Sequence, residues 1–347
     1  MARIQATRLQ PVWLLVGAGC VAVAALVGVL AGPISLSTTG ILRDALDRLP
    51  GIDLGSGLSA RDSAIVWQLR APRVVMGAFV GAMLSLCGAA YQGAFRNPLA
   101  DPYLLGVAAG AGLGATLAIT YLPDHSSWVV DPLPLAAFAG ALVGTAATYA
   151  LGRAGSRSRT ASTLILAGVA MASFLTSVQT YVQQQQSETL RQVYTWILGQ
   201  LTTSSWREVL LVIPYVVVTS VVILLHRRIL DVMSVGDEEA DALGIDTRRA
   251  RLVIIIAASL GTASAVAVAG LVGFVGIIVP HTIRLIFGSS FRVVLPLSIL
   301  FGAAFLILTD LAARTVVAPA EIPIGVITAF LGAPFFLFIL RRSRRIS

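Results

Sequence analysis

Histidine and carboxylate are the groups best able to do chemistry in an apolar chain, and this chain holds few of them. There are three histidines and 17 acidic residues in 347. His281, Asp310 and Glu321 adjoin hydrophobic runs, as do Arg70, Arg73 and Arg314, while His125 lies between two runs. An enzyme would need several such groups converging in fixed roles. His125, His281 and Asp310 are not spaced as metal ligands, and no paired carboxylates face each other on one helix. His281 follows Pro280 and reads as a satisfied helix-start residue rather than a base. A proton-coupled carrier would hold Asp, Glu or His in mid-span, whereas here every candidate sits near a run end. All 25 basic residues are arginine. Without lysine the chain has no phosphate-binding P-loop and no Schiff-base chemistry, so it is not itself an ATPase. A membrane-embedded enzyme and an ion-coupled secondary transporter are therefore the weaker readings, and energy for transport would come from another subunit.

The second chemically loaded feature is polar. Ser234-Val-Gly-Asp-Glu-Glu-Ala-Asp-Ala-Leu-Gly-Ile-Asp-Thr-Arg-Arg-Ala-Arg251 is the longest polar segment between two hydrophobic runs on the arginine-rich side. Its acids come first and its arginines last, the order a helix dipole favours. Leu243-Gly244 divides it into two short helical pieces, with Gly as the stop, and Ser234 with Asp237 could form a capping box. It is either a solvated connector or a docking element.

The elements that position these residues are membrane spans. The chain is 56% hydrophobic and 12% charged, with mean hydropathy +0.85, against about a quarter charged in a soluble domain. About 20 apolar residues cross a bilayer as a helix. Ten runs qualify, at about 12–32, 70–92, 103–122, 134–152, 161–182, 208–226, 251–272, 274–287, 293–313 and 323–340, the eighth short and running almost directly out of the seventh. The first lacks a cleavage pattern and is long enough to span. The chain thus reads as all-α, a single transmembrane domain over 1–347 with a polar element at 234–251. Five spans per half make the halves face opposite ways, the inverted-repeat plan of transporters. With the N-terminus inside, the inner segments carry 17 arginines and 7 acids, the outer ones 8 and 10. This places both termini in the cytoplasm and accounts for the high pI without nucleic acid. Gly77/Gly81, Gly106/Gly110/Gly114 and Gly140/Gly144 recur at the spacing that lets helices approach closely. Pro98, Pro102, Pro280, Pro323 and Pro334 break or start helices near membrane depth, which is tolerated where backbone is buried or lines a cavity. Cys20 and Cys87 lie in embedded runs and serve packing.

Several blocks resemble one family. Arg70-Ala-Pro-Arg73, Gly88-Ala-Ala-Tyr-Gln-Gly93 and Arg96-Asn-Pro-Leu-Ala-Asp-Pro-Tyr-Leu-Leu-Gly106 look like the signature of the FecCD-type permeases. Leu166-Ala-Gly-Val-Ala170, Trp196-Ile-Leu-Gly199, Gly270-Leu-Val-Gly-Phe-Val-Gly-Ile-Ile-Val-Pro-His281 and Glu321-Ile-Pro-Ile-Gly325 follow in the right order. The resemblance runs from about residue 60 to 340. These permeases are the membrane subunits of type II ABC importers for ferric siderophores, haem and vitamin B12.

The resemblance implies a permease in a bacterial plasma membrane, paired with a second permease as a homodimer. Two ATP-binding subunits would hold ATP and Mg, this chain binding no cofactor or metal itself, and an extracytoplasmic binding protein would deliver the chelate. It places Gly236, Asp237, Ala240, Leu243 and Gly244 in a coupling element gripped by the ATP-binding subunit. It places Arg70, Arg73 and Arg314 on the outer face, receiving glutamates of the binding protein, although an arginine there could also snorkel to headgroups. The spans at 161–182 and 323–340 would line the path, with an inner gate at Ala161-Ser162, where Ser162 could equally be a helix N-cap. An iron chelate comes first as cargo, partly for the polar tract Gln183–Gln186, which reads at least as readily as a solvated loop, and vitamin B12 second.

Overall fold

The structure is a computed structural model, and it describes residues 9–51, 54–55, 57–122, 131–154, 161–201 and 205–343. Among these residues there are no strands and fourteen α-helices. They are α1 (Pro11–Leu30), α2 (Thr38–Asp47), α3 (Ala60–Ala94, with a wide turn at Ile65–Arg70), α4 (Val107–Tyr121) and α5 (Pro132–Ala154). There follow α6 (Ala161–Gln185), α7 (Leu190–Ile197), α8 (Trp206–Leu225), α9 (Arg227–Met233) and α10 (Asp237–Ala242). The chain closes with α11 (Thr247–Ala269), α12 (Val275–Phe287), α13 (Phe291–Thr315) and α14 (Ile324–Ser343).

Seven of these helices are long and apolar enough to cross a membrane; α4, α12 and α14 are shorter apolar helices. Together they occupy the ten expected spans. The second span begins earlier than expected, at Ala60, and the third later, at Val107, because Asn97–Gly106 form turns closed by Asn97 and Asp101 side chains.

Helix α3 is the axis of the bundle: 83% of its most apolar window is buried, followed by 72% for α11. These are the second spans of the two halves. Burial on all sides requires neighbours to come close, and small residues permit it. Gly81 meets the backbone of Gly302 on α13, and Gly88 meets that of Gly276 on α12, leaving no space for a Cβ. Gly110 and Gly114 of α4 face Gly140 and Ala136 of α5 in the same way. Most of the glycines expected to serve packing do so, while Gly77 has ordinary space around it.

Three local expectations need correction. Ser234 does not cap a helix with Asp237: its hydroxyl donates to the Asp231 carbonyl at 2.6 Å, and Gly236 precedes α10. The polar stretch holds one separate short helix, since the second piece is the first turn of α11, capped by Asp246 through the Arg249 N–H at 2.9 Å. His281 lies inside α12, past Pro280, with its ring edge-on to Phe335 at 6.0 Å.

Candidate functional site

The arginine-rich side carries the polar element. Helix α10 starts with three acids, which suits the positive end of its dipole. Its C-terminal turn closes on Gly244 at φ +82°, a left-handed conformation that glycine adopts without strain. The Gly244 and Ile245 N–H groups donate back to Asp241 and Ala240 at 2.9 and 3.1 Å, a Schellman-type end. Ala240 is buried against Met233 and Ala250, and Gly236 is buried as well. Leu243 is 71% exposed beside the exposed Gly244. The five residues expected at a contact therefore divide. Gly236 and Ala240 seat the element, Leu243 and Gly244 project from it, and Asp237 anchors it.

That anchor is an ion pair the sequence did not reveal. Arg251 Nη2 bonds both carboxylate oxygens of Asp237, at 2.8 and 2.9 Å, while its Nε donates to the Ala94 carbonyl at 2.8 Å. Ala94 is the last residue of α3, where carbonyls lack helical partners. One guanidinium thus ties the polar element to the bundle's axis. Asp231 makes a second tie, accepting from the Phe291 N–H at 2.6 Å and the Ser290 hydroxyl at 3.0 Å at the start of α13.

On the opposite side, Arg70, Arg73 and Arg314 do come together, but facing inward. Arg73 forks onto Asp310, with Nε and Nη2 at 2.9 and 2.8 Å from Oδ1, and onto Glu321, with Nη1 and Nη2 at 3.0 and 2.9 Å from its two oxygens. Arg314 lies 3.4 Å from the other Asp310 oxygen and donates to the Gly28 carbonyl. Arg70 donates to the carbonyls of Val29, Leu30 and Ile34 at 3.2, 3.0 and 2.5 Å. These two arginines satisfy the C-terminal carbonyls of α1, where positive charge is favoured. Arg70 and Arg314 are 4% and 2% exposed, whereas the side chains of Arg73 and Glu321 are 11% and 33% exposed. The Arg73–Glu321 pair is the arm of this cluster that solvent reaches.

Between the two ends, most of the quoted sequence blocks are tied to one another through backbone groups. The Ile324 and Gly325 N–H groups donate to Gly199 and Leu198, and the Gln200 N–H donates to Ala269. Tyr103 Oη bonds both the N–H and the carbonyl of Val272, at 3.0 Å each. Gln92 donates to the Gly276 carbonyl at 3.0 Å and accepts from Arg284. The expected path helices α6 and α14 keep large apolar side chains exposed, among them Leu166, Phe174 and Phe330. The side chains of Ala161 and Ser162 lie outside the described residues, as does His125. Among the described residues no group of three His, Cys, Asp or Glu could hold a metal ion.

Comparison with known proteins agrees with this architecture. The FecCD transport family matches residues 20–342. The cobalamin import system permease protein BtuC of Halobacterium salinarum is 44% identical over 285 residues, covering 82% of this chain and 75% of the relative. The hemin transport system permease protein HmuU of Yersinia pestis is 38% identical over 289 residues, covering 80% and 84%. A solved structure described as an inward-facing conformation of a metal-chelate type ABC transporter superposes with TM-score 0.81 at 28% identity, covering 96% of this chain and all of that one. An all-helical bundle of seven long and three shorter apolar helices, matched by the family over residues 20–342, makes this chain a member of the FecCD transport family.

Proposed function

We propose that the chain is the membrane-spanning subunit of an ATP-driven importer that moves an iron chelate, a ferric siderophore or haem, into the cytoplasm. The observation that carries the reading is the anchored α10, an exposed Leu243 on a short acidic helix whose Asp237 is tied through Arg251 to the end of α3. A separate ATP-binding subunit gripping Leu243 would move the bundle's axis directly. Both termini lie in the cytoplasm in this reading, and two copies of the chain, each with an ATP-binding subunit, enclose the path between their α6 and α14 faces. ATP and Mg sit on the partner subunits.

The extracytoplasmic binding protein docks over the ion cluster. A carboxylate it presents would compete with Glu321 for Arg73, the one arginine of the three that solvent reaches through its partner. Arg70 and Arg314 hold the α1 end beneath it. The gate assigned to Ala161 and Ser162 remains part of this proposal.

Iron chelates stand first because several of the similar permeases are named for hemin, Fe(3+)-citrate or iron chelatin transport. A corrinoid cargo is the second reading, favoured by the 44% identity to the cobalamin permease. Reconstitution with the cognate ATP-binding subunit and binding protein, followed by parallel uptake of ferric siderophore, haem and cobalamin, tests both. ATP-dependent uptake of an iron compound alone is expected. Uptake of cobalamin alone would replace the first reading with the second, and uptake driven by a proton gradient without ATP would overturn both.

A further inference from the structure

The flank formed by α5 and α11 is not accounted for by transport. Between these helices runs a groove of about 750 Å³, lined mainly by aliphatic side chains including Leu142, Ala146 and Ile256. Its end narrows into a cavity of about 70 Å³ that shares Tyr149 and Arg153 with the groove and adds Arg248 and Arg251. Arg153 ends α5 and Arg248 begins α11, so both cations sit where the helices leave the apolar layer. Among the described residues no carboxylate lines either space.

The three cations differ in what they already bind. Arg251 is committed to Asp237 and the Ala94 carbonyl. Arg153 rests its guanidinium 5.8 Å from the Tyr149 ring centroid, an arrangement that fixes its position without neutralising it. Among the described residues neither Arg153 nor Arg248 forms an ion pair, and both are exposed. An aliphatic trough ending in two uncompensated guanidinium groups at headgroup depth complements one ligand class, a lipid with an acyl tail and an anionic head.

We propose that this groove is a specific site for one anionic phospholipid. An acyl chain lies along Leu142, Ala146 and Ile256, and the headgroup phosphate sits between Arg153 and Arg248, forked by guanidinium donors. A zwitterionic lipid can occupy the trough but gains less at its mouth. Because Arg248 begins the helix that carries Arg251, the occupied site also adds a counter-charge beside the Asp237 anchor.

Native mass spectrometry of the full-length chain, purified with the subunits that accompany it and given equal phosphatidylglycerol and phosphatidylcholine, tests the assignment. The first phosphatidylglycerol adduct is expected at roughly tenfold over phosphatidylcholine, since each surface arginine contributes several-fold. Arg153→Gln with Arg248→Gln should bring the ratio to parity, while the paired Arg→Lys changes keep most of it. Ala146→Trp, which fills the groove without altering charge, should lower the first adduct of both lipids. Parity in the unmodified chain, or a preference untouched by the double Gln change, would overturn the proposal. The unmodified chain decides by itself if a variant fails to fold.

Discussion

Asp310 is shared by two guanidinium groups in a place solvent does not reach, and it sets the cost of any change around it. Removing one partner of a buried ion pair leaves uncompensated charge, at about 3–5 kcal/mol. Asp310→Ala is therefore expected to destabilise the protein by about that much, read as a large drop in the melting midpoint in detergent, whereas Glu321→Gln, whose side chain is one-third exposed, should cost about 1 kcal/mol or less. Equal midpoints for the two variants would refute the assignment of Arg73 and Arg314 to Asp310. Asp44, within α2 on the same side of the molecule, offers a pH probe. Burial alone would raise its carboxyl, but the Trp67 indole N–H at 2.5 Å, the Ser63 hydroxyl at 3.1 Å and Arg48 outweigh it and hold it below the ordinary 3.8. A lowered folded value means its stabilisation is present above pH about 3.8 and fades only as pH falls through the folded value. Trp67 emission should accordingly change with a midpoint below 3.8, and Asp44→Asn should abolish that transition. A midpoint above 3.8 would contradict the three-donor arrangement.

At the scale of elements, the prediction concerns α10. Leu243→Arg should leave folding and assembly intact, since the side chain is exposed, yet uncouple ATP hydrolysis from uptake. Normal substrate-stimulated hydrolysis in that variant would refute the role. Arg251→Gln should have the same kinetic effect for a different reason, loosening α10 from α3 while Leu243 still fits its groove. A partner-binding assay separates the two, since only Leu243→Arg should weaken binding of the ATP-binding subunit. How far these elements were legible in the sequence follows from the range of the forces involved. Runs of apolar residues report membrane-spanning helices rather than burial, so the seven long and three shorter apolar helices and most of the close glycine contacts could be read locally. The position of Arg73 near a run end was equally plain, but its partners lie 237 and 248 residues away, and nothing local distinguishes an arginine facing a docking protein from one facing Asp310. Arg251 was just one of several cations in a polar run, because the Ala94 carbonyl it holds is 157 residues distant. Pro280 suggested a helix start for His281, yet tight packing on α3 carries α12 through the proline.

For the whole molecule, the proposed pairing makes a distinct prediction. If α6 and α14 of two copies flank the path, a single cysteine at exposed Phe330 in a chain lacking Cys20 and Cys87 should cross-link to its counterpart in membranes. Its yield should change with nucleotide state. A cysteine at exposed Leu15 of α1 should stay monomeric under the same conditions, and the reverse pattern would place the pairing surface elsewhere.

Helix α3 runs without interruption from the ion cluster to the Arg251 tie. The 21 residue rises from Arg73 to Ala94 amount to about 32 Å of helix, close to one bilayer thickness. Mechanically this is a pushrod: its two ends are held through arginine to different helices, α13 at one and α11 at the other, and its flanks meet their neighbours through close glycine contacts. A stroke delivered at one face would reach the other as translation of a stiff body, with no loop to absorb it. Timing between cargo release outside and fuel use inside would then be set by the stiffness of a single helix rather than by a relay of small rearrangements.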